Sequence, residues 1–291
     1  MKRRLFCFLC AFMLMIAAGC TNNNTQAPKE EPTKPKDPVA NETVKTPSLE
    51  VMVLQVGKAD AILITLDGKS MLIDAGETKD GSRVAALLRD KGISKLDYVV
   101  LTHMDKDHIG GIPRVMMDAE VGTLIQSHNS EGSAEYSAYQ AELKEDSVTP
   151  ILLRKPMEFE FGGAQVRLLP AEKEKYADDN DYSIITELTY GEKRFLFTGD
   201  AEKERLAEYL AGEVKPFDFV KMPHHGNKNK QSKAFINAAH PEYAVITCSD
   251  KNPANYEILS MLKAIKANVF QTKDGYVTAV CDGTTLTVRQ Y

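Results

Sequence analysis

The run KLDYVVLTHMDKDHIGG, residues 95–111, constrains this chain more than any other feature. Its first half is an apolar stretch of the kind that a sheet strand buries on both faces. Its second half places two of the chain's six histidines and two aspartates within six positions, ahead of Gly110 and Gly111. A fold that accepts this run must bury a strand whose end opens on a space lined with imidazole and carboxylate.

Alternate side chains of a strand point the same way, so His103 and Asp105 can face one point as the chain leaves the sheet. Asp107 and His108 follow in the turn, where the backbone can bend a second nitrogen and oxygen toward the first pair. Imidazole and carboxylate together are ligands for Zn or Mn, and four of them exceed the needs of one mononuclear site. A two-metal site is the inference, weighed against a solvated polar turn. Two later motifs favour the metals: FLFTGD ends a strand with Asp200, and FVKMPHHG ends another with His224 and His225. Sites are assembled where loops leave one edge of a sheet. The remaining histidines, His128 and His240, are expected at the surface or in support. DDNDYSII, residues 178–185, enters a strand with Asp181 or Asn180 able to reach a metal, or forms a hydrated loop with Asx turns.

Three segments divide the chain. Residues 1–20, MKRRLFCFLCAFMLMIAAGC, combine a basic start, an apolar run and small residues before Cys20, the pattern of an export signal. AAGC further resembles a bacterial lipobox, so Cys20 is the expected lipidation site and the rest of the chain an exported membrane lipoprotein facing outside the cytoplasm. The alternative, an uncleaved membrane anchor, gives the same orientation. Residues 21–47 are rich in Pro, Asn, Lys and Glu with almost no large apolar side chain, and read as a disordered linker.

Residues 48–291 read as one domain. LEVMVLQV, AILITL and SMLIDA are strand-like, GSRVAALLRDKGI has helical spacing, and MEFEFGGAQVRLLP, SIITELTYGEKRFLFTGD and GYVTAVCDGTTLTV are hairpins. EYSAYQAELKED, AEKERLAEYLAG and NYEILSMLKAIK read as further helices. This order predicts an α/β or α+β sandwich. Only Cys248 and Cys281 lie beyond Cys20, too few for a disulfide-built scaffold. The net charge of −5 argues against broad attraction to nucleic-acid phosphates, so a polyanionic substrate would be held by metals or a few lysines. Lys106, Lys221 and Lys228 read as surface charge, with a phosphate contact as the alternative.

In order, LIDAG, HMDKDHIGG, LFTGD and MPHHG resemble the metallo-β-lactamase superfamily, and LQVGKADAILI, NDYSII and PHHG are similar to the extracytoplasmic domain of ComEC-type DNA-uptake proteins. The resemblance covers about residues 49 to 288 and implies an αββα four-layer sandwich. It implies two divalent ions, with His103 and Asp105 on the first and Asp107 and His108 on the second. Asp200 would bridge them, and His224 or His225 would complete the second site. Asp74 of LIDAG would orient the histidine loop from behind.

The superfamily's usual histidine before the bridging Asp is absent, leaving Asn180 or Asp181 as the stand-in. With Asp105 replacing a second histidine, the first ion would be mostly oxygen-ligated, which shifts the expectation from Zn toward Mn or mixed occupancy. The implied activity is phosphodiester hydrolysis, with DNA the favoured substrate and Asp107, His224 and His225 the catalytic candidates. The alternatives are hydrolysis of a cell-wall phosphoester or a lactam, and a noncatalytic envelope protein with a structural metal site.

Overall fold

The computed structural model describes residues 47–130 and 132–291. The expected signal, lipobox and Cys20, and the linker apart from Pro47, lie outside the described residues. Among the described residues no helix is long and apolar enough to cross a membrane.

Strands β1 (Leu49–Val53), β2 (Ala61–Leu66), β3 (Lys69–Ala75), β4 (Lys95–Leu101), β5 (Glu120–Gln126) and β6 (Ile151–Leu152) belong to one sheet. A second sheet takes β7 (Met157–Phe161), β8 (Ala164–Leu169), β9 (Ile185–Tyr190), β10 (Lys193–Phe197), β11 (Phe219–Lys221), β12 (Tyr243–Ile246) and β13 (Asn268–Gln271). The chain then returns to the first sheet with β14 (Val277–Cys281) and β15 (Leu286–Gln290), which lie beside β1. The strand orders are β15-β14-β1-β2-β3-β4-β5-β6 and β13-β12-β11-β10-β9-β8-β7.

Alternation along the strands makes the layers. Ile62, Ile64 and Leu66 of β2 meet Phe195 and Phe197 of β10 in a core between the sheets. The opposite faces carry helices. Ala61 and Leu63 of β2 pack with Val84 and Leu88 of α1 (Gly81–Asp90), in a core that also takes residues of α2 (Lys106–Ile109), α3 (Ile112–Asp118) and α4 (Ala134–Glu145). Leu196 of β10 packs on the other side with α5 (Lys203–Ala211), α6 (Ser232–Ala239) and α7 (Tyr256–Ala264). The result is the expected αββα sandwich.

Two features of this fold bring the polar motifs together. β3, β4 and β5 run parallel, as do β10, β11 and β12, so three strand ends from each sheet point to a common rim. The backbone also crowds there: a Cβ on Gly111 would stand 2.1 Å from the Ala75 carbonyl oxygen, so only glycine lets the turn after His108 pass the end of β3.

Candidate metal centre

The end of β4 carries Thr102 and His103 directly into the short α2, whose first turn holds Asp107 and His108. His103 and His108 are fully buried, with ring centroids 4.1 Å apart. Asp74, at the end of β3, is fully buried and sits in the left-handed region at φ 56°, a conformation that costs energy outside glycine. Its carboxylate offsets that cost by accepting from Thr102 N (2.9 Å), from Thr102 Oγ1 (2.7 Å) and from His108 Nδ1 (2.7 Å). With Nδ1 committed to Asp74, Nε2 of His108 is the free nitrogen, and it faces Asp200 Oδ2 at 3.4 Å.

Asp200 follows β10 through Gly199, whose φ of 51° makes the turn and whose missing side chain leaves room for Thr102. His224 and His225 follow β11 and are also left-handed, at φ 43° and 54°. These two consecutive strained residues split the pair. His225 is buried and places Nε2 at 2.8 Å from Asp200 Oδ2 and 3.8 Å from Asp107 Oδ2. His224 bonds Glu202 through Nδ1, points Nε2 at Asp200 from 3.9 Å, and keeps 15% of its side chain exposed. Asp105 lies 3.6 Å from His103 Nε2 with its side chain 34% exposed, at the mouth of the cluster.

Candidate ligand atoms fall into overlapping groups whose members lie within 4.8 Å of one another. One joins His103, His108 and Asp200; another joins Asp107, His108 and His225. The fit to divalent cations is testable on two features. The buried Nε2 atoms of His103, His108 and His225 make no hydrogen bond, that of His225 even though Asp200 Oδ2 lies 2.8 Å away, and a native fold leaves such atoms only for a reason. Three buried carboxylates, on Asp60, Asp74 and Asp200, belong to the cluster, and Lys221, paired with Asp60 and Asp200, is the one buried ammonium beside them among the described residues, so the cluster is short of positive charge. Both features fit metal, and neither fits a plain polar turn.

The electrostatics carry the same demand. Burial works to raise the pKa of Asp200, but His225, His108 and Lys221 outweigh it and hold the carboxyl well below its ordinary range. Burial works to lower that of His108, and Asp200 and Asp74 overcome it, raising the imidazole well above its ordinary value. Without metal, a proton on His108 supplies part of the missing charge. Burial pushes His225 down.

Two expectations need correction. Asp181 does not reach the centre: the turn Asp179–Tyr182 swings its carboxylate to the start of α5, where it accepts from Arg205 N (3.0 Å) and Glu204 N (3.4 Å). Free amides at a helix start attract an anion, so this carboxylate is already engaged. Asn180 belongs to the same turn, with its N–H on Asp178 and its carbonyl taken by Ser183. Lys221 is neither surface charge nor a contact for phosphate. It is fully buried, bonded to Asp60, to the Gly199 carbonyl (3.0 Å) and to Asp200 Oδ1 (3.4 Å). Lys228 pairs with Glu257 at the surface, and Lys106 is exposed at the start of α2.

Sequence reading passed over Asp60 and Thr247. Asp60 lies in LQVGKADAILI, just ahead of β2, and an acid entering a mostly apolar strand was the available signal. Thr247, at the end of β12, carried none.

The sequence model of the metallo-beta-lactamase superfamily matches residues 54–249. The chain is 25% identical over 234 residues to Recombination protein 2 of Haemophilus influenzae, a span of 78% of this chain and 28% of that protein. It is 24% identical over 231 residues to Competence protein ComA of Neisseria gonorrhoeae, covering 78% of this chain and 31% of that protein. The chain thus spans less than a third of the length of these relatives. The metallo-beta-lactamase fold protein YhfI of Bacillus subtilis superposes with a TM-score of 0.51 at 13% identity, covering 77% of this chain and 96% of that one, a likeness of fold.

Proposed function

Because this chain belongs to the metallo-β-lactamase superfamily, we propose that it is a binuclear metal-dependent hydrolase that cleaves phosphodiesters, DNA in particular, outside the cytoplasm. The observation that carries this reading is the convergence of three partnerless buried nitrogens, Nε2 of His103, His108 and His225, on the Asp200 carboxylate. The DNA substrate is supported by the similarity to proteins named for recombination and competence and by the motifs shared with DNA-uptake proteins. Export and a lipid anchor at Cys20 rest on the sequence of residues 1–20.

His103, Asp105 and Asp200 would hold one cation, and Asp107, His108, His225 and Asp200 the other. Such a pair of Zn or Mn ions polarises a phosphoryl group and supplies a nucleophile at neutral pH. The residues do the rest. Asp74 keeps the proton of His108 on Nδ1, so that its other nitrogen keeps a lone pair for metal. Asp107, partly exposed at the rim, can take the proton released by the attacking water. His224 is held by Glu202 with Nε2 toward the cluster and access to solvent, the place of a general acid for the leaving oxygen. Burial lowers its pKa, but Glu202 and Asp200 raise it further, which suits a group that must arrive protonated.

The test is to load purified protein with Mn or Zn, count metal equivalents, and offer single-stranded DNA, bis-p-nitrophenyl phosphate and a cephalosporin. Turnover of the first two with two equivalents bound is the expected result. Turnover of the cephalosporin alone would replace the substrate class. No turnover at full occupancy would leave a noncatalytic envelope protein whose metals are structural.

A further inference from the structure

Behind the ligand rim runs a buried chain of four side chains, three of which the metal reading does not require, ending on the ligand candidate His225. Lys221 Nζ, at the end of β11, bonds Asp60 Oδ2. Asp60 Oδ1 accepts from Thr247 Oγ1 at 2.7 Å, and Thr247 Oγ1 lies 2.9 Å from His225 Nδ1. All four are fully or almost fully buried, and they come from three separate strand ends. The sequence separation between Asp60 and Thr247 is 187 residues, so the fold has brought them together.

The hydrogens along this chain have one consistent arrangement. A carboxylate beside an ammonium stays ionised and can only accept. Thr247 therefore spends its single hydroxyl hydrogen on Asp60. What remains on Thr247 is a lone pair, and a lone pair requires a donor, so His225 must carry its hydrogen on Nδ1. In the neutral ring, the form that binds metal, its other nitrogen, Nε2, is then bare, and that is the atom 2.8 Å from Asp200 Oδ2. Lys221 also lies 3.4 Å from Asp200 Oδ1, which leaves Oδ2 as the oxygen turned toward His108, His224 and His225.

We propose that Lys221, Asp60 and Thr247 form a positioning relay that fixes the tautomer of His225 and presents its Nε2, together with Asp200 Oδ2, to the second metal. The relay rests on the binuclear reading and deepens it. It does for His225, beside the second sheet, what the Asp74 contact does for His108 beside the first, with Asp60 reaching across from the start of β2. The candidate group of Asp60, Asp200 and His225 is on this account not a third metal site, because the Lys221 ammonium already lies against both of its carboxylates.

The test compares Thr247→Val, which keeps the shape and removes the hydroxyl, with Thr247→Ser, which keeps the hydroxyl. Histidine ring nitrogens are read by 15N NMR in the metal-free protein, and affinity for the second Zn equivalent by competition with a chelator. Wild type and Thr247→Ser are expected to show His225 protonated at Nδ1 and to bind two equivalents. Thr247→Val is expected to lose the single tautomer and to bind the second equivalent about 10- to 100-fold more weakly, with the first equivalent unchanged.

The relay is overturned if wild-type His225 carries its hydrogen on Nε2, if Thr247→Val binds the second equivalent as tightly as wild type, or if Thr247→Ser is as impaired as Thr247→Val. Should Thr247→Val not fold, the wild-type tautomer and the Thr247→Ser affinity still decide. Wild type binding fewer than two equivalents while showing the Nδ1 tautomer would overturn the binuclear reading instead, so the two failures are distinguishable.

Discussion

Asp74 and His108 form the innermost contact of the site: Oδ2 and Nδ1 lie 2.7 Å apart, both residues are wholly buried, and the aspartate holds a left-handed backbone to make the contact. The same carboxylate ties down the Thr102 amide and hydroxyl, so it joins the ends of β3 and β4 to the ligand loop. Asp74→Ala should therefore cost on the order of 3 to 5 kcal/mol of stability, because it strands several buried donors at once. Urea unfolding of the metal-free protein measures it, and a loss below about 1 kcal/mol, the range of an ordinary exposed contact, would contradict the role.

Asp200 is the residue proposed to serve both cations. Asp200→Ala is expected to abolish loading of two equivalents and all hydrolytic activity, by elemental analysis and by turnover of bis-p-nitrophenyl phosphate. Retained activity would refute the assigned bridge.

The two adjacent histidines should separate cleanly. His225→Ala should lose one metal equivalent, since its Nε2 is a buried lone-pair ligand beside Asp200. His224→Ala should keep both equivalents and lower turnover by about 100- to 10,000-fold, the range of a general acid, with the alkaline limb of the pH–rate profile removed. Equal metal loss in both variants would contradict the split.

Acidity should act on the metal-free and metal-loaded protein in opposite senses. For His108, burial disfavours the charge but Asp200 and Asp74 prevail, so its folded pKa is raised. A raised folded pKa means stability that is full below the unfolded value of about 6.5 and lost as pH rises through the folded value. Metal needs the unprotonated Nε2 and gains over the same window. The difference in melting temperature between Zn-loaded and metal-free protein should therefore widen as pH rises above about 6.5 toward the raised folded value of His108. A gap that stays constant or narrows would contradict this account.

Lys221 makes a further case. Lys221→Met leaves Asp60 and Asp200 without their internal cation, and should destabilise by about 3 to 5 kcal/mol while leaving the protein's surface charge response to salt unchanged. Thermal unfolding at low and high salt checks both parts.

Much of the fold was legible in the sequence because strand and helix periodicity is local. The runs at β1, β2, β3 and β4, the hairpins β7-β8, β9-β10 and β14-β15, and helices α1, α4, α5 and α7 all announce themselves. β5, β12, β13 and α6 did not. β12 has four residues and β13 four, too short for a period to show, and their strand character comes from pairing with β11 and with each other. α6 begins in a polar stretch whose apolar positions, Phe235 and Ile236, count only once the second sheet is there to bury them.

The site divides the same way. By itself, the sequence determined the residue types and their places at strand ends: His103, Asp105, Asp107, His108, Asp200 and the His224-His225 pair are all ligand chemistry at the exits of apolar runs. Only the tertiary structure decided which atoms converge. It turned His225 inward and His224 to the rim, sent Asp181 to the start of α5, and buried Lys221 between Asp60 and Asp200. The physical reason is range. Apolar alternation acts over a few residues and is written in the chain, whereas a hydrogen bond between Asp60 and Thr247, or an ion pair between Lys221 and Asp60, depends on where two sheets close against each other.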